Sequence, residues 1–141
     1  MSRIYWDSML FIYWLEDDPH FAKRVAEIHA RMQERQDELI TSAFTLGEVF
    51  AGAYRKGAEQ AADELRGVLT NLLSEVLPFT AETAQWYARI RGNRGIASLD
   101  AIHLACAAQA GIDLFLTNDA SLVGKVIPGI QFIAGLDSNI L

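Results

Sequence analysis

One cysteine, three prolines and three lysines are all that the 141-residue chain holds of these types. The single cysteine, Cys106, excludes an intramolecular disulfide framework and a multi-cysteine zinc site. Ten glycines and three prolines, with no period, exclude collagen-like and low-complexity chains. No apolar stretch reaches the ~18 residues needed to span a bilayer. The run Met9–Leu15 comes nearest, but Asp7 precedes it and Glu16, Asp17 and Asp18 follow, so it does not read as a signal peptide. Positive charge is scarce: 12 Lys and Arg stand against 18 Asp and Glu, for a net charge of −6 and a pI of about 4.9. That balance argues against broad electrostatic binding of nucleic acid. It leaves room for nucleic acid held through metal ions, which reverse the local field. From Gly95 onward Lys125 is the only basic residue, against Asp100, Asp113, Asp119 and Asp137. An acidic C-terminal third points to a cation or a basic partner. Together these absences predict a reduced, soluble, cytoplasmic protein.

What is present suits one folded domain spanning 1–141. Hydrophobic residues make up 51% of the chain and charged residues 21%. A chain of this length buries about 68–70% of its unfolded surface and needs no disulfide or metal to fold. Short apolar runs alternate with longer helical patterns. Strands are predicted at Ile4–Trp6, Leu39–Ser42, Val76–Leu77, Ile112–Leu116 and Ile130–Ile133. Helices are predicted over 8–16, from Asp18-Pro19 onward, and over 46–56, 58–74, 80–91 and 98–110, with a short one after Asp119. Asp18 reads as an N-cap and so does Ser98, and Gly111 as the stop of the 98–110 helix. The alternation indicates an α/β fold with a mainly parallel sheet. In such sheets ligands bind outside the carboxyl ends of the strands.

Four acids sit at or near those ends in surroundings unusual for surface carboxylates. Asp7 closes the first strand. Glu48 lies within Phe44-Thr45-Leu46-Gly47-Glu48-Val49-Phe50, where few acids belong without a partner. Asp100 occupies the first turn of an otherwise apolar helix, and Asp119 follows the fourth strand. Each alone has a plain structural reading as a helix-end anion or cap. As a set they imply more. Converging carboxylates raise one another's pKa, and a hard divalent cation such as Mg²⁺ or Mn²⁺ relieves the crowding. That arrangement suits metal-assisted attack of water on a phosphodiester. Thr117 and Asn118 add hydroxyl and amide oxygens at the same strand end.

The motifs resemble those of PIN domains. Tyr5-Trp6-Asp7-Ser8-Met9-Leu10-Phe11 is similar to the opening of that family. Thr45-Leu46-Gly47-Glu48-Val49, Ser98-Leu99-Asp100-Ala101-Ile102-His103 and Leu116-Thr117-Asn118-Asp119 are similar to its later acidic motifs, in the same order over nearly the whole chain. The resemblance implies a PIN-like three-layer fold and a metal-dependent endoribonuclease. It implies that Asp7, Glu48, Asp100 and Asp119 hold Mg²⁺ or Mn²⁺, with Ser8 and Thr117 orienting ligands or water. Short stand-alone bacterial members are mostly VapC-type toxins of toxin–antitoxin pairs, so the resemblance also implies a homodimer and a cognate antitoxin. One position departs from the pattern: Met9 stands where Asn is usual.

Arg89, Arg91 and Arg94 form the densest basic cluster. Arg91 and Arg94 are candidates for RNA phosphates, with a solvated helix end as the equally good alternative. His103 could pair with Asp100 at i+3, and is expected to be a core or supporting histidine rather than a catalytic base. Cys106 is expected to be inert core, and Trp6, Trp14, Trp86 and Tyr87 core or dimer contacts. Other functional readings are an RNA-processing PIN nuclease outside any toxin pair and a catalytically silent binding module. A phosphoryl-accepting receiver is disfavoured because a lone acid ends the first strand.

Overall fold

In a computed structural model, which describes residues 1–57, 59–93, 95–139 and 141, five strands form one sheet. They are β1 (Arg3–Trp6), β2 (Glu38–Ser42), β3 (Glu75–Leu77), β4 (Ile112–Leu116) and β5 (Ile130–Ala134). All four pairings are parallel and the order is β3-β2-β1-β4-β5. Six helices connect them: α1 (Ser8–Leu15), α2 (Ala22–Arg35), α3 (Ala43–Arg55), α4 (Glu59–Leu72), α5 (Ala81–Arg91) and α6 (Ser98–Ala110).

Strands covered on both faces need continuous apolar runs. In β1, Ile4, Tyr5 and Trp6 are all fully buried, and in β2 so is Ile40. Alternation sends them to opposite cores. Ile4 and Trp6 pack with Leu10 and Phe11 of α1, Val25, Ile28 and Met32 of α2, Val49 of α3 and Leu69 of α4. Tyr5, Ile40 and Phe115 pack with Ile90 of α5 and with Ala101, Leu104 and Ala105 of α6. The result is the expected three layers. The stripe Val25, Ile28, Met32 lies inward as its spacing requires.

The chain builds outward from β1 to β2 and β3, then crosses over to β4 and β5. Right-handed crossovers place helices on opposite faces when that direction reverses. The reversal falls between β1 and β4, and a crevice opens at the carboxyl ends of these two neighbours. Trp6 pairs with Leu116, so Asp7 and Thr117 are the next residues past the sheet edge.

Several element ends differ from the sequence expectation. Helix α3 starts at Ala43, three residues early, because the Ser42 side chain accepts the Thr45 amide at 3.2 Å. Ser98 is not the cap of α6: Ala97 holds that position without a side-chain bond, and Ser98 is the first helical residue. Asp18 accepts from the amides of His20 and Phe21, which forms a turn, and regular helix begins only at Ala22. Among the described residues no helix follows Asp119. Asp119 accepts the Ser121 amide, and the Gly124 amide turns to Ile133 on β5, so the segment is a run of turns.

Gly129 packs this connection against α6. Its φ is +94°, and a Cβ there would lie 2.3 Å from the Ala108 carbonyl oxygen. At Gly111, which ends α6 at φ +73°, a Cβ would meet nothing within 4 Å. Gly111→Ala is therefore expected to cost the left-handed penalty of about 1–2 kcal/mol. Gly129→Ala adds a backbone clash and should cost clearly more, about 2–4 kcal/mol in all. Denaturant unfolding of the two variants checks the order, and equal costs would contradict the packing described.

Candidate active site

Asp7 is the N-cap of α1 and accepts the Met9 amide at 3.1 Å. Its second oxygen accepts the Thr117 hydroxyl at 2.5 Å, and the same Thr117 oxygen accepts the Asp119 amide at 3.1 Å. Thr117 is fully buried, so one hydroxyl joins the ends of β1 and β4. Burial pushes the Asp7 carboxyl up, against the opposing pull of the Thr117 bond.

Glu48 sits on α3, half-buried. Its Oε1 accepts from the Ser8 hydroxyl and, at 2.8 Å, from His103 Nε2. The His103 bond holds its carboxyl below the usual range, with help from Ser8 and against burial. His103 therefore pairs with Glu48 across α3 and α6, not with Asp100 on its own helix. The ring is buried at 5% exposure, and its Nδ1 lies 2.7 Å from the Tyr5 hydroxyl. The Tyr5 hydroxyl also lies 2.8 Å from Ser42 Oγ. His103 is thus a buried side chain bonded to Glu48.

Asp100 lies in the first turn of α6. Burial raises its carboxyl, and the neighbouring charges of Asp119 and Glu48 raise it further, while His103 opposes them. Asp119 moves the other way, held down by the Ser121 hydroxyl and amide. Thr117 ties the Asp7 carboxylate to the backbone amide of Asp119, Ser8 next to Asp7 in the chain bonds Glu48, and the Asp100 carboxyl feels the charges of both Asp119 and Glu48.

Two other candidates are placed differently from the expectation. Asn118 turns from the carboxylates and donates to the Tyr13 hydroxyl at 2.9 Å, fastening α1 to the end of β4. Arg91 is exposed and donates Nη1 to the Ile96 carbonyl at 2.7 Å, bracing the segment before α6. Arg94 lies outside the described residues. Cys106 is buried and its thiol is pushed up to about 11 by burial, as suits an inert core residue. Sequence reasoning missed Tyr5, Ser42 and Thr45 as parts of the site. The polar residues Thr41, Ser42 and Thr45 in an otherwise apolar stretch were the available signal. Nothing in the strand pattern marks the Tyr5 hydroxyl as other than core.

The donor chemistry fits a hard divalent cation: all-oxygen, anionic, with one carboxyl held up by its like-charged neighbours. Among the described residues, no three His, Cys, Asp or Glu side chains form a closed ligand group as they stand. The side chains are arranged as linked pairs.

Residues 4–124 match the PIN domain. The chain belongs to the PIN-domain family. It is 28% identical over 121 residues to ribonuclease VapC23 from two strains of Mycobacterium tuberculosis, across 84% of this chain and 94% of that protein. In fold it is similar to VapBC2 from Rickettsia felis bound to a promoter DNA fragment, with a TM-score of 0.73 at 16% identity over 94% of this chain and 98% of that one. A toxin–antitoxin complex from Klebsiella pneumoniae is similar as well, with a TM-score of 0.65 at 20% identity, covering 92% and 95%. These two likenesses concern the three-layer fold. Among the described residues no helix is long and apolar enough to cross a membrane.

The raised Asp100 carboxyl fixes the sign of a stability effect. A carboxyl whose folded-state pKa lies above its unfolded value opposes folding once ionised, and the penalty vanishes below both values. In EDTA, Asp100→Asn should therefore melt at a higher temperature than the unsubstituted protein at pH 7. The gain should fade at about pH 3, below the unfolded Asp value near 3.9. Thermal melting at the two pH values checks this, and a loss of stability at pH 7 would contradict the crowding.

Proposed function

We propose that the protein is a metal-dependent endoribonuclease, the toxin of a toxin–antitoxin pair. The observation that carries the proposal is the family match over 4–124, supported by the Thr117 bond to Asp7 at the carboxyl edge of β1 and β4 and by the charges of Asp119 and Glu48 acting on Asp100. The likeness to ribonuclease VapC23 supports RNA as substrate, and the two toxin–antitoxin structures support an antitoxin partner. In this reading the protein is a cytoplasmic homodimer.

Asp7, Glu48, Asp100 and Asp119 hold Mg²⁺ or Mn²⁺. The bound ion supplies Lewis acidity, lowering the pKa of water and stabilising charge on the leaving oxygen. The chain's own residues do the positioning. Thr117 fixes Asp7, Ser8 and His103 fix Glu48, and a bound cation would offset the charges of Asp119 and Glu48 that press on Asp100. No side chain serves as nucleophile. With few cations on the protein, the acidic edge would need a bound ion to accept a phosphate. Arg91 keeps guanidinium N–H groups free of the Ile96 bond for a neighbouring phosphate, and Arg94, close to it in sequence, is a second candidate for the same task. An antitoxin segment carrying Arg or Lys would complement the acidic edge.

Purified protein incubated with labelled tRNA and rRNA fragments should give discrete cuts in Mg²⁺ or Mn²⁺ and none in EDTA. Asp100→Asn should lower the rate by about a hundredfold or more. Cutting that persists in EDTA, or an Asp100→Asn variant as active as the original protein, would overturn the proposal.

A further inference from the structure

A buried imidazole must satisfy both ring nitrogens or bear a cost in stability. His103 does so with partners from two other elements. Glu48 reaches it from α3, Tyr5 from β1, and His103 itself stands on α6, one turn beyond Asp100. Tyr5 lies two residues before Asp7. The imidazole thus touches or adjoins every segment that carries the first three acids.

The chemistry of the partners fixes the ring. An ionised carboxylate only accepts, so Nε2 carries the proton at the 2.8 Å contact with Glu48 Oε1. Nδ1 faces the Tyr5 hydroxyl at 2.7 Å, with Thr45 Oγ1 at 3.3 Å. Rotating the ring by half a turn would set carbon atoms against both partners. Phe44 lies at 5.2 Å between centroids on one side, and Tyr5 contacts the ring edge-on at 5.9 Å. Ser8 donates to the same Glu48 oxygen as His103. Two donors therefore meet on Oε1, and among the described residues none donates to Oε2, which is the oxygen left for an ion.

We propose that His103, held in place by Tyr5, is the positioning residue that aims Glu48 at the metal. This rests on the reading of Glu48 as a metal ligand. His103 touches neither substrate nor ion. It locks one carboxylate oxygen so that the other is presented without first losing rotamer freedom. Hydrogen bonds that orient a ligating side chain in this way are worth about 10–100-fold in metal affinity or activity.

The test compares His103→Leu, His103→Gln and Tyr5→Phe in the full-length chain. Mn²⁺ affinity is measured by calorimetry, RNA cleavage as kcat and KM, and folding by melting temperature. His103→Leu should weaken Mn²⁺ binding by about 10–100-fold and lower kcat while leaving KM for RNA nearly unchanged. His103→Gln, whose amide can donate where Nε2 does, should recover most of both. Tyr5→Phe should show a smaller loss in the same direction. Independently of metal, nitrogen-15 spectra of the EDTA-treated protein should show a proton on His103 Nε2. Losses that are equal in the Leu and Gln variants and track the melting temperature would overturn the proposal, as would an unprotonated Nε2. If the unsubstituted protein binds Mn²⁺ but cuts no RNA, the nuclease reading fails and the positioning role stands or falls on affinity. If it binds no Mn²⁺, the metal reading fails and this role falls with it.

Discussion

Burial, and with it like-charge repulsion from Asp119 and Glu48, holds the Asp100 carboxyl above its ordinary range, and the surrounding structure contains that repulsion. Three devices do so. Parallel pairing of β1 and β4 at the switch point fixes where Asp7 and Thr117 emerge. Buried donors, namely Thr117 on Asp7 and Ser8 with His103 on Glu48, take up part of the negative charge. The Ser121 turn does the same for Asp119. Asp100 has no donor of that kind in the set, and its carboxyl is the one that its neighbours push up most plainly.

Legibility in the sequence followed the range of the forces involved. Strands such as Ile4–Trp6 and Ile112–Leu116 were readable because burial on both faces demands an unbroken apolar run. The stripe Val25, Ile28, Met32 was readable because helical spacing is local. The four acids stood out because carboxylates among apolar residues need a reason. Caps were less legible. Ser98 looks like an N-cap in isolation, yet the chain enters α6 with Ala97 extended at ψ 154° and leaves the serine inside the first turn. The segment after Asp119 lacks a helix because its backbone bonds go to β5 and to Asp119 itself.

Tertiary partners were the least legible. His103 and Asp100 share the i,i+3 spacing that lets side chains meet on a helix, but His103 lies on the buried side and finds Glu48 of α3. Asn118 looked like a site residue and serves instead to fasten Tyr13. Arg91 looked like a phosphate contact and uses one nitrogen to brace Ile96. Each outcome depends on a neighbour at least five residues away or on another element, which no local pattern encodes. The family motifs carried the order of the acids, while their roles as pairs came from the folded geometry.

The central claim is that the carboxyl edge of β1 and β4 is a divalent-cation site made by Asp7, Glu48, Asp100 and Asp119. Its most direct test is a crystal of the protein soaked in Mn²⁺ and measured for anomalous scattering. The account predicts a strong peak among these four side chains, with Glu48 contributing Oε2 while Oε1 stays on Ser8 and His103. Mn²⁺ bound elsewhere on the protein, with the four carboxylates keeping their paired arrangement, would contradict it.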